Sequence, residues 1–193
     1  MITHVQGKLV ELNPAYAVID CNGVGYLLHI SLHTYSKLGD SEFCKLFSHL
    51  AIKEDSHTLY GFYEELERKV FRLLISVSGV GASTARVILS SMLPEEIRDA
   101  IVNEDVALIK SVKGIGAKTA QRIILDLKDK MLKAFDDIEM SVKTGNRNRE
   151  EALSALEVLG FPMKAVHKLI DKLLEKDPQI GVEELVKQAL KQL

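Results

Sequence analysis

The feature that most restricts the fold of this chain is a stretch it contains twice. "SVSGVGASTARVIL" runs from Ser76 to Leu89, and "SVKGIGAKTAQRII" from Ser111 to Ile124. Aligning residues 74–89 with 109–124 gives eight identities in sixteen pairs, among them Gly79/Gly114, Gly81/Gly116, Thr84/Thr119 and Ala85/Ala120. A spacing near 35 residues also suits a helical solenoid. Here, however, there are two copies only, and the identities gather at a turn, whereas a solenoid keeps them on packing faces.

Two glycines around one apolar residue allow positive φ and a close approach of backbone to ligand. A helix beginning at once after the second glycine presents free N–H groups with the positive end of its dipole behind them, which suits a phosphate. The expected contacts in the first copy are Gly79, Gly81, Ser83, Thr84 and Arg86. In the second they are Gly114, Gly116, Ala117, Lys118, Thr119 and Arg122. These are helix-hairpin-helix motifs, and two of them clamp phosphates of one duplex across its minor groove. Such contacts read no base edges, so binding should be independent of sequence and weakened by salt.

The formal net charge of −2 does not announce a nucleic-acid binder. Local charge does. Lys110, Lys113, Lys118, Arg122, Lys128, Lys130 and Lys133 face only Asp126 and Asp129 in the same stretch. Those two aspartates are expected to pair with neighbouring lysines along a helix.

Around the repeat the chain divides into parts. Residues 1–63 carry five strand-like runs separated by Asn13-Pro14, Asn22-Gly23 and Leu38-Gly39-Asp40, which predicts a small five-stranded barrel, OB-like in preference to SH3-like. From 64 to 135 the apolar period is helical and glycine-punctuated, for the tandem hairpins. Residues 136–149 are polar and predict a flexible linker. Residues 150–193 predict three short amphipathic helices, too small a core for an enzyme and suited to docking. The fold class is therefore α+β and multidomain.

Cys21 and Cys44 have no CxxC spacing, and the six histidines have no metal spacing, so neither a metal nor a cofactor is expected. Without a secretory signal, a run long enough to span a membrane, or a disulfide framework, the expected location is the cytoplasm.

The order of parts, with "NGVGY" (22–26), "KEDSHTLYGF" (53–62), both hairpins and "ALEVLGF" (155–161), resembles the bacterial Holliday junction branch migration family RuvA along its whole length. That resemblance implies a non-catalytic, junction-binding homotetramer, or an octamer on DNA. It implies an acidic pin at Glu54 and Asp55 that separates strands at the crossover. It further implies an apolar patch of Leu156, Leu159, Phe161 and Leu190 that grips the hexameric ATPase RuvB, and a junction-resolving nuclease as a further partner, in recombination and repair. The chain departs from the family pattern at Ala82-Ser83, where Pro-Lys is frequent, so the first hairpin lacks its cation unless Arg86 supplies one. Ala117-Lys118 stands where two lysines are common. The alternative is a helix-hairpin-helix repair enzyme, a glycosylase or nuclease. A glycosylase would need a catalytic aspartate such as Asp126 or Asp129 in a cleft.

Overall fold

A computed structural model describes residues 2–144, 147–177 and 180–192. It forms two compact units, Met1–Phe135 and Asp136–Leu193.

The first unit begins with strands β1 (His4–Asn13), β2 (Tyr16–Cys21) and β3 (Val24–His29), helix α1 (Leu32–Leu38), and strands β4 (Phe43–Ile52) and β5 (His57–Phe62). The strands close in the order β1-β2-β3-β5-β4, with β4 returning to β1. Closure leaves no sheet edge to aggregate. One ladder is parallel, with Leu28 opposite Leu59 and His29 opposite Tyr60, and it brings β3 beside β5 across the α1–β4 crossover. This is the OB arrangement. The β2–β3 turn puts Asn22 and Gly23 at positive φ, and the Gly23 N–H donates to Asp20 Oδ1 at 2.7 Å. Val5, Ala17, Ile19, Leu28, Ile30, Leu38 and Leu46 fill the barrel.

Helix α1 is absent from the sequence expectation, which reads residues 1–63 as strands throughout. Two turns of helix are too short for a hydrophobic period to register. Its local signals are the Ser31 side chain, which caps it by accepting from the Thr34 N–H at 3.0 Å, and Gly39 at φ 49°, where it stops.

Helices α2 (Glu65–Ile75), α3 (Ala82–Ser91), α4 (Pro94–Val102), α5 (Val106–Ser111) and α6 (Ala117–Thr144) follow. Their apolar faces share one core that also takes in Tyr60 and Phe62 of β5, beside the separate cluster that fills the barrel. Phe71 of α2 lies with its ring centroid 4.8 Å from that of Phe62 and 5.1 Å from that of Tyr60.

Helix α6 continues to Thr144, through much of the stretch whose polarity predicts a linker. Gly145 and Asn146, in the second half of that stretch, lie outside the described residues. In the second unit, α7 (Arg147–Val158), α8 (Met163–Lys176) and α9 (Val182–Leu190) pack around Leu156, Val166, Ile170 and Leu185. Asn148 donates to the Ile180 carbonyl at 2.9 Å and Arg149 pairs with Asp171 at 2.7 Å, tying α7 to α8 and to the α8–α9 connection.

Candidate nucleic-acid interface

The two repeated stretches fold alike. In each, a helix ends, a glycine turns at φ 92° (Gly79, Gly114), a buried aliphatic residue (Val80, Ile115) plugs the turn, and a second glycine opens the next helix. The Val80 N–H donates to the Val77 carbonyl at 3.0 Å, and its counterpart at Ile115 donates to Val112 at 3.1 Å. The first helical bonds after each turn also match, Ala85 to Gly81 and Ala120 to Gly116, both 2.9 Å.

The paired glycines have different reasons to be there. Gly79 and Gly114 hold a backbone conformation that side chains oppose. Gly81 has ordinary φ, −85°, and a Cβ built on Gly81 or Gly116 would meet nothing within 4 Å. The fold therefore does not demand glycine at these two positions. What their absent side chains leave clear is the outer surface of the turn, where a ligand backbone can approach.

Electrostatics agree. Helices α2, α4 and α9 carry glutamates in their first turns, and side chains of Ser31 and Asp105 cap α1 and α5. Helix α3 has no acidic residue in its first turn and no side-chain cap, and the first turn of α6 is likewise free of acids. Both ends keep their positive potential for an external anion. Ser83 and Lys118 are exposed beside these ends, and Thr84 and Thr119 are half-buried.

The two arginines expected at the interface have structural partners. The Arg86 guanidinium donates to the carbonyls of Ala15 at 2.9 Å and Ile30 at 3.4 Å, so it fastens α3 to the barrel. Arg122 reaches the Ser78 carbonyl at 3.4 Å and thereby joins the second hairpin to the turn of the first. Lys128 is drawn to Glu104 at 2.5 Å, and that bond holds the Glu104 carboxyl below its usual range. Asp126 and Asp129 make no ion pair among the described residues, contrary to the expected pairing along the helix; the lysine beside them bonds across to the α4–α5 connection instead.

Glu54 and Asp55 form the exposed tip between β4 and β5, closed by the Lys53 N–H donating to the Ser56 carbonyl at 2.8 Å. A cleft of about 500 Å³ separates this side of the barrel from the first hairpin, with Lys53 and His29 on one wall and Gly81 and Ser83 on the other. Sequence reasoning missed Lys53 and His29, because they come beside α3 only where the barrel wall and the first hairpin meet in the folded chain. Burial, with the nearby Arg86 charge, pushes the His29 pKa down from 6.5, so the ring is neutral at neutral pH.

In the second unit, Leu156 is 0 % exposed and packs the bundle core, and Phe161 is half-buried against it. Leu159 (58 %) and Leu190 (43 %) are exposed, as is Val158 (84 %), which sequence reasoning did not include. Val158 and Leu159 line a shallow groove on α7 with Ala155 and Ser154, rimmed by Glu150 and Glu151.

Among the described residues no helix is long and apolar enough to cross a membrane. Family models match in three places: a RuvA N-terminal domain over residues 1–61, a SAM-like helix-hairpin-helix tandem over 71–129, and a RuvA C-terminal domain over 147–193. Proteins described as Holliday junction branch migration complex subunit RuvA are similar along the full length of both chains. The one from Christiangramia forsetii is 60 % identical, that from Flavobacterium psychrophilum 57 %, and that from Bacteroides thetaiotaomicron 46 %. With barrel, tandem hairpins and C-terminal bundle all matched, the chain belongs to the RuvA family.

Proposed function

We propose that this chain is a non-catalytic subunit that binds four-way junction DNA without sequence preference and delivers its arms to a separate ATP-driven motor. The observation that carries this reading is the pair of glycine turns with matching φ and hydrogen bonds. Each opens a helix onto a surface that the fold leaves free of side chains. The similar proteins are named as branch migration complex subunits, which favours a recognition role over the glycosylase or nuclease alternative.

In this reading Gly79, Gly81, Ser83, Thr84, Gly114, Gly116, Ala117, Lys118 and Thr119 approach phosphates directly. Arg86 and Arg122 hold the hairpins in place. The subunits assemble as a homotetramer around the crossover, where Glu54 and Asp55 repel phosphates and part the strands. Residues 1–63 and 64–135 form the DNA-binding body, 136–149 the tether and 150–193 the motor-docking bundle. The exposed pair Leu159 and Leu190 meets the motor, RuvB, while Leu156 and Phe161 support that surface from within. A junction-resolving nuclease acts on the same bound DNA.

Replacing Gly81 and Gly116 with alanine tests the reading. Alanine at these helix starts costs roughly 0.5–1 kcal/mol each, and its methyl group has room inside the protein. The double variant is expected to fold, as seen by circular dichroism, and to lose at least about tenfold in junction affinity by gel shift, because its methyl groups stand where the phosphates approach. A folded variant with undiminished affinity overturns the reading.

A further inference from the structure

The tandem hairpins are unequal in one respect. Where the second has Lys118, the first has Ser83. The one arginine on α3, Arg86, lines the cleft facing this hairpin, but its Nη1 donates to the carbonyls of Ala15 and Ile30, which anchors the side chain to the barrel. The first hairpin thus has a place for a phosphate, while its one cation is held in place by the barrel, so a cation that moves freely to a ligand has to come from outside the hairpin.

The cleft facing that hairpin contains one. Lys53 enters from the end of β4 and shares the cleft with Gly81 and Ser83, while Thr58 and His29 add polar groups from the barrel wall. Lys53 is exposed, and among the described residues its ammonium makes no ion pair, although two carboxylates follow it directly in the chain. His29 contributes no charge at neutral pH, because burial and Arg86 lower its pKa. Lysine therefore supplies the positive charge on that wall, and a long flexible stem suits it to meeting a phosphate as a point charge.

We infer that the first phosphate site is shared between two parts of the fold: the hairpin provides main-chain N–H groups, and the barrel provides the cation, Lys53. The inference rests on the reading of the hairpins as phosphate clamps. It places a DNA-gripping charge next to the acidic tip, so one turn both holds the backbone through Lys53 and repels it through Glu54 and Asp55. The strand passing the crossover is then fixed on one side of the tip and pushed away on the other.

The test measures the affinity of the full chain for a synthetic four-way junction over a range of salt concentrations. Lys53→Ala is expected to weaken binding on the order of tenfold near 0.1 M salt, and to reduce the slope of log K against log salt by about one for each lysine that meets a phosphate. Adding Ser83→Lys to that variant returns the cation to the hairpin and is expected to restore affinity and slope together. An unchanged slope in Lys53→Ala, while the Gly81 and Gly116 alanine variant still loses binding, overturns the shared site and leaves the hairpin reading standing. Loss of the Lys53→Ala effect in a Glu54→Gln, Asp55→Asn background also overturns it, since Lys53 would then only offset its neighbours. Retained binding by the glycine variant overturns both readings.

Discussion

Gly79 and Gly81 are two residues apart and do different physical work. At φ 92° Gly79 occupies a region where a Cβ crowds its own backbone, at a cost of roughly 1–2 kcal/mol. No neighbouring atom lies within 4 Å of that Cβ, so the cost is conformational strain alone. Alanine at Gly79 or Gly114 is therefore expected to lower unfolding free energy by about that amount in urea titrations. The loss should exceed that of alanine at Gly81, which has no such strain. The two substitutions should rank oppositely in stability and in DNA binding. Equal losses of stability at Gly79 and Gly81 would contradict this assignment.

At the scale of elements, α1 and α2 are joined through a buried carboxylate. Glu67 of α2 accepts hydrogen bonds from the hydroxyls of Ser31 and of Thr34, the latter at 2.6 Å. Each hydroxyl is itself an acceptor, Ser31 from the Thr34 N–H at 3.0 Å and Thr34 from the Tyr63 N–H at 2.9 Å, so their protons are committed to Glu67. Burial pushes the carboxyl up from 4.5, and the two hydroxyls draw it partly back. A group whose folded pKa is raised contributes its stability fully below the unfolded value and loses it as pH rises through the folded value. The stability advantage of the native chain over Glu67→Gln is thus expected to shrink as pH climbs from about 4.5, measured by urea unfolding of both at each pH. A difference that stays flat or widens would refute the sign. Glutamine also turns an N–H donor toward a committed hydroxyl proton, a mismatch of about 1–3 kcal/mol. The same network anchors the first hairpin's leading helix to the barrel, and so fixes where that hairpin stands relative to Lys53.

At the scale of the whole molecule, the chain consists of two compact units, with the hairpins and the acidic tip in the first and the exposed Val158, Leu159 and Leu190 in the second. If the proposed function holds, ending the chain after Phe135 preserves junction affinity and its salt slope while abolishing stimulation of the motor ATPase. Gel shift and ATP-hydrolysis assays on the same preparation check both halves. Stimulation that survives truncation would move the docking surface into the first unit.

The hairpins were legible in the sequence because they are local: Gly-X-Gly, an aliphatic plug and a helix start lie within a few residues, and repetition raises them above chance. Strand identity was legible for the same reason: the sequence carries five strand-like runs between turn residues, and five strands form. Three things needed tertiary structure. Helix α1 is too short to show a period. The roles of Arg86 and Arg122 depend on carbonyls 71 and 44 residues away. The placement of Lys53 across a cleft from Gly81 depends on how the barrel and α3 pack, which no neighbouring residues encode. Short-range backbone preferences write themselves into a few consecutive letters, whereas the partner of a charged side chain is chosen by how distant segments pack.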